Sequence, residues 1–381
     1  MKIWCFNASA VINSACIAII SIAVLGACSS NSKRPQPAEL TAVTALVAAP
    51  QTWTTRIAPV TFALQTTAVG SSVAVASDDG TVAMLDAQTG RDLWRVALAT
   101  PIAAGVGSDG VAAAVVTKAN ELVMLQSGRE LWRQKLISQV FTAPFVAAGR
   151  VFVAAADRSV TAFDGQSGRR LWTQQRPNEP LVLKQSGVLL AVGDTLVAGL
   201  AGRLTGLNPI NGSVRWEVPI ASPRGINDIE RLVDLVGGVS RQGDKVCVRA
   251  FQASIGCVDA ARGTLIWTKA ASGVHGISGD SRLVYGTESD GRVIALKAAD
   301  GDKAWSTDHL RFRSLSAPVV AGRSVVVGDS TGFLHLLSRD DGSLLNRLTT
   351  DGSAVSANPV MAGNTLVVVT RSGGVFGYVP E

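Results

Sequence analysis

Histidine is scarce in this 381-residue chain: His275, His309 and His335 are the only three, and no two fall at metal-ligand spacing. That excludes a histidine-built zinc site and leaves no imidazole in the pattern of a catalytic base. Charge is thin as well. Asp, Glu, Lys and Arg make up 17% of the residues and the formal net charge is only +6. The basic residues are spread out and not interleaved with aromatics, so nucleic acid is not an expected partner. Five cysteines occur, and three of them, Cys5, Cys16 and Cys28, precede residue 30. Past the N-terminal apolar run no 3.6-residue periodicity is sustained, which excludes a helical body. No catalytic residue, metal ligand set or cofactor is expected from this inventory.

What the chain does have is a repeat. A glycine is followed four residues later by tryptophan in TGRDLW (89–94), SGRELW (127–132), SGRRLW (167–172), NGSVRW (211–216), RGTLIW (262–267) and DGDKAW (300–305); DGSLLN (341–346) keeps only the glycine. Self-similarity near 40 residues marks a repeat architecture. One unit, APFVAAGRVFVAAADRSVTAFDGQSGRRLW (143–172), splits into four apolar runs of strand length separated by Gly, Asp and Ser. Four strands per repeat at this period describe a blade of a β-propeller. The last unit, from Ala357, stops after three strands, and QTWTTRI (51–57) supplies a tryptophan-bearing fourth. An all-β, eight-bladed propeller closed by the N-terminal strand is therefore expected over residues 46–381, with Trp53 on the outermost strand of the closing blade. Closure removes free sheet edges.

Two motif matches dissolve in this frame. Gly105-Val106-Gly107-Ser108-Asp109-Gly110 fits a dinucleotide fingerprint, but a strand follows where the motif needs a helix. Gly328-Asp329-Ser330-Thr331-Gly332 fits a nucleophile elbow, but it aligns with the hairpin turns at 77–80 and 288–291.

The N-terminus sets the location. Residues 3–31 carry no charge, and ACIAIISIAVL (15–25) leads into Leu25-Gly26-Ala27-Cys28. The run is short for a membrane span. Small residues before a cysteine at this point resemble a bacterial lipobox, which implies a signal peptide over 1–27 and palmitoylation-type acylation of Cys28. Ser29 in place of aspartate implies, by the same resemblance, retention at the outer membrane, with the soluble body on its periplasmic face. Residues 28–45 then read as a lipidated flexible tether. Cys247 and Cys257 remain, ten residues apart on one hairpin, and an oxidising periplasm favours a disulfide between them over two buried thiols.

The blade ending, as in LDAQTGRDLW and FDGQSGRRLW, resembles the tryptophan-docking repeat of quinoprotein dehydrogenases. A small quinone-dependent periplasmic dehydrogenase with calcium in its channel is thus one reading. The short blade loops and the lack of an adjacent cysteine pair count against it. Lipobox, tether and eight minimal blades together resemble the BamB lipoproteins, non-catalytic subunits of the outer-membrane β-barrel assembly (BAM) complex. Two long links fit that resemblance: 179–187 (EPLVLKQSG), in the 44-residue interval before Trp216, and 222–238 (SPRGINDIERLVDLVGG), in the 51-residue interval before Trp267. The family implies that these loops hold a POTRA domain of BamA, through Leu181, Leu183, Lys184, Arg231 and Asp234 by matching position. Lys184 replaces a common arginine and Val236 a common acid. The family also implies help in folding outer-membrane clients, whose unfolded strands would find open blade edges. Exposed loop positions lead us to expect that Asp234→Ala abolishes partner capture and leaves unfolding nearly unchanged. The other reading of these residues is blade core for the leucines and a local Arg231–Asp234 pair.

Overall fold

Alternating apolar runs and glycine turns form 32 strands in eight four-stranded antiparallel sheets. This computed structural model describes residues 35–176, 181–223, 226–227 and 231–381. No helix occurs among the described residues. Blades one to seven span 67–97, 102–135, 145–174, 189–219, 235–270, 277–307 and 319–349. Blade eight takes three strands from 360–378 and its outermost strand from Gln51–Arg56, which pairs with Gly374–Tyr378. The expected eight-bladed ring, its closure and the place of Trp53 are as observed. The two middle strands of each blade hold the core: every residue of Ala112–Thr117 and Thr365–Val369 is buried.

Strands alternate in direction, which sorts the connections onto two faces. The links between blades and each turn from second to third strand lie on one side, the link face. The remaining turns, including the glycine turns, lie on the turn face.

The structure explains why glycine and tryptophan recur together. Each indole packs not on its own turn but on the glycine of the next blade, as Trp53 does on Gly90, Trp132 on Gly168 and Trp305 on Gly342. At Gly168 the backbone has φ +70°, and an added Cβ would sit 2.6 Å from Cδ2 of Trp132. Both facts demand glycine. In five of these seams the indole N–H meets a carbonyl of the next blade, as from Trp132 Nε1 to Gly165 O at 2.9 Å and from Trp53 Nε1 to Ala87 O at 2.9 Å, whereas Trp216 Nε1 is buried without a partner. Removing a buried tryptophan of this kind costs about 3–5 kcal/mol. Blade seven lacks its tryptophan for a structural reason. The turn it would cover in blade eight does not exist, because the two chain ends meet there. Asn346 stands instead and donates from Nδ2 to Val47 O at 2.9 Å.

Pro37–Glu381 form one compact unit. Residues 37–45, read above as tether, belong to it: Ala38 N–H bonds Arg311 O at 2.8 Å, and Arg347 Nη1 bonds Thr41 O at 2.9 Å. Sequence pattern missed this segment because it pairs with side chains and single carbonyls and so carries no strand alternation. Cys28 and the signal segment lie outside the described residues.

In blade five Cys247 and Cys257 are cross-strand partners, Cα to Cα 4.0 Å, and are joined as a disulfide. Both are buried. Closing so short a loop contributes roughly 2–3 kcal/mol on the chain-entropy account. Non-reducing peptide mapping of exported protein is expected to recover the two cysteine peptides linked. Free, alkylatable thiols at both positions would contradict this.

The motif matches fall where the repeat puts them. Gly105 and Gly107 lie within the strand Ile102–Ser108, and Ser330 is exposed in the turn between Ser324–Gly328 and Phe333–Ser338.

Candidate loop-pair interface

The long links enter blades four and five on the link face, and a turn of blade three locks them together. Asp234 is the hub. Its Oδ2 accepts the N–H of Leu183 at 2.9 Å, and its Oδ1 pairs with Arg158 Nη1 at 2.5 Å. The second arm of the same guanidinium, Nη2, donates to Leu181 O at 2.8 Å. Gly237 N–H then bonds Ser186 O at 2.6 Å, so the two links run side by side.

Exposure separates the expected contact residues into two kinds. Leu181 is 40% exposed, and Lys184 and Arg231 are exposed as well. Leu183 is half-buried. Asp234 is only 7% exposed and both of its oxygens are used inside the chain. The expectation that Asp234→Ala leaves stability unchanged therefore fails on physical grounds: it would strand a buried arginine. Nor does Asp234 pair with Arg231, whose backbone N–H bonds Asn227 O at 3.2 Å. Glu179, Pro180 and residues 228–230 lie outside the described residues.

Arg158 was missed in the sequence, although it left a trace. Sister turns of this kind carry glycine at the corresponding place, as at Gly80, Gly291, Gly332 and Gly373, all with positive φ. Arg158 takes the same left-handed backbone, φ 64°, with a Cβ that costs about 1–2 kcal/mol there. It is 6% exposed. A buried cation in a glycine's place signals a structural debt met elsewhere, here by Asp234 and the Leu181 carbonyl.

The loop pair also reaches across the ring's central opening. Ser186 Oγ bonds Gln65 Oε1 of the link into blade one at 2.7 Å, and Asn358 Nδ2 beside blade eight bonds Gly237 O at 3.4 Å. The imidazole at this mouth, His275, is held below its usual range by burial and then by the charge of Arg249. Among the described residues no group of three His, Cys, Asp or Glu side chains could hold a metal ion. The channel mouth thus offers crossing loops and a neutral imidazole, a poor fit for a quinone with its calcium.

The family model described as outer membrane protein assembly factor BamB matches residues 78–307. A curated relative of that name from Burkholderia pseudomallei is 38% identical over 366 residues, covering 95% of this chain and 96% of the relative. The chain belongs to the BamB family. Crystal structures agree on the fold: BamB from Moraxella catarrhalis superposes with a TM-score of 0.79 at 22% identity, over 87% of this chain and all of that one. The quinohemoprotein alcohol dehydrogenase of Comamonas testosteroni reaches 0.67 at 14% identity, over 87% of this chain and 76% of that one. The propeller is therefore common to assembly factors and dehydrogenases. In this member of the BamB family the two overlong links form the Arg158-locked pair.

Proposed function

We propose that the chain is a non-catalytic scaffold of the BAM complex, held by lipid on Cys28 at the periplasmic face of the outer membrane. Its loop pair grips a POTRA domain of BamA and so assists the folding and insertion of outer-membrane β-barrels. One observation carries this reading. Two links from different blades are fixed to each other by a buried ion pair, yet turn Leu181, Lys184 and Arg231 outward. Long loops on a rigid ring are where binding concentrates, and a locked pair loses little entropy when a partner docks. The leucines supply apolar area and the two cations a charged rim, the composition of an interface centre and its border. Asp234 contributes by positioning rather than by touching BamA.

The test is capture of BamA by the Leu181→Ala/Leu183→Ala variant. Hot-spot truncation costs about 2 kcal/mol or more, near thirtyfold in affinity. BamA recovery should collapse while the unfolding temperature stays within a few degrees of the parent. Undiminished recovery would place the interface elsewhere on the ring.

A further inference from the structure

The segment before the first strand takes a route that the closure of the ring does not require. Gln51 starts the outermost strand of blade eight from the turn face. A chain arriving directly from a lipid anchor would therefore reach the propeller on the side opposite the loop pair. Instead Ala38 lies on the link face, and from there the chain descends the outside of blade seven and only then turns into that strand.

Named contacts hold it along the way. At the top, Arg313 bonds Ala38 O through Nη1 at 2.9 Å while its Nε pairs with buried Asp329 at 2.9 Å. Leu40 packs on the apolar cluster shared by blades six and seven. Lower down, Leu46 N–H bonds Leu345 O at 2.8 Å, and Val47 and Ala49 are buried in the seam that lacks a tryptophan. At the foot, Ala48 N–H meets Glu381 Oε2 at 3.1 Å. Ordering this many residues costs of order 1–2 kcal/mol each in backbone entropy. The burial and the arginine bonds offset it.

We propose that residues 38–50 are a strap that moves the anchor's point of attachment from the turn face to the link face, and thereby turns the loop pair toward the bilayer. The proposal rests on the reading of Cys28 as the lipidated residue. With the strap docked, the stretch from residue 28 to residue 37 can span at most about 35 Å. Released, it would run to residue 50, reach about 80 Å and emerge from the other side of the ring. Strands of five to six residues hold the two faces ~20 Å or more apart. Docking therefore selects which face is near the membrane and how far away it sits. The attachment at the blade six–seven link lies two to three blades around the ring from the loop pair, on the same face, so the strap itself leaves the proposed BamA contact uncovered.

The experiment uses the full chain, processed and lipidated, in phosphatidylethanolamine–phosphatidylglycerol vesicles containing acceptor-labelled lipid. A donor dye is placed on blade seven at Ser330→Cys, on the link face, or at Ser343→Cys, on the turn face. Energy transfer from position 330 is expected to be at least twice that from 343. In the Leu40→Ser/Arg347→Ala background the difference should vanish or reverse, and the Leu46 and Ala48 amides should exchange hydrogen at least a hundredfold faster. If that variant does not fold, Asn346→Ala, which removes the bond to Val47 O and the local one from the Arg347 N–H, serves the same comparison. Equal transfer from the two positions in the parent overturns the proposal, as does amide exchange at 46–48 as fast as in an unfolded chain. Failure of the protein to partition onto vesicles overturns the lipid-anchor reading instead, and slow exchange at Leu46 and Ala48 would then show the strap intact without it.

Discussion

Asp234→Ala is expected to lose stability and BamA capture together. The carboxylate is buried and is the ion-pair partner of Arg158, whose Nε already has no protein partner. Removing one member of such a pair leaves an uncompensated buried charge and costs about 3–5 kcal/mol. For a ring of this size that corresponds to a fall of roughly 4–7 °C in unfolding temperature. The Leu183 N–H loses its acceptor in the same stroke, so the two links part and the leucines are no longer presented as a unit. Replacing both charges, as in Arg158→Met/Asp234→Leu, separates the effects. An apolar pair can restore much of the stability, yet it cannot bond the Leu181 carbonyl or the Leu183 amide, so capture should stay low. Thermal unfolding and BamA pull-down on the two variants decide the matter. An Asp234→Ala protein that unfolds at the parent's temperature would show that the lock is not what holds the loops.

The second large effect is one of location. Cys28→Ala is expected to move the protein from the outer-membrane fraction to the soluble periplasm. Each buried methylene of an acyl chain contributes about 0.8 kcal/mol and one chain alone anchors only marginally, so loss of all chains abolishes retention. Fractionation with mass measurement of the N-terminal peptide reads this directly. A Cys28→Ala protein still in the membrane and still carrying acyl mass would refute the assignment.

Much of this molecule is written in its repeat. The glycine–tryptophan spacing gave blade number, strand order and closure, because it reports local turns and burial that recur at every blade. Even the exception at Asn346 was visible, though its cause was not. That a glycine serves the tryptophan of the preceding blade depends on how blades stack, and one-dimensional spacing does not report it. The loop pair was legible as two overlong intervals. The role of Asp234 was not, since its partner lies 76 residues away in a turn of another blade. The visible clue was Arg158, standing where four sister turns place glycine. The strap left no periodic trace because its contacts are made by arginine side chains and isolated carbonyls.

Ring closure by the first strand also sets an order of events. Within blades one to seven every neighbouring strand is a hairpin away, and such pairs form early because little chain must be gathered. Blade eight joins residues 325 apart, as between Thr52 and Gly377. By loop-closure entropy that join costs about 3 kcal/mol more than a ten-residue hairpin. It also needs the last residues to be delivered before the first can be used. As the chain is made the N-terminal strand emerges first and waits for the C-terminus, so a growing stack of blades keeps an open end until the last strand is in place. Removing Gly374–Tyr378 would leave that end open permanently, with Gln51–Arg56 deprived of its ladder partner and able to pair with another chain.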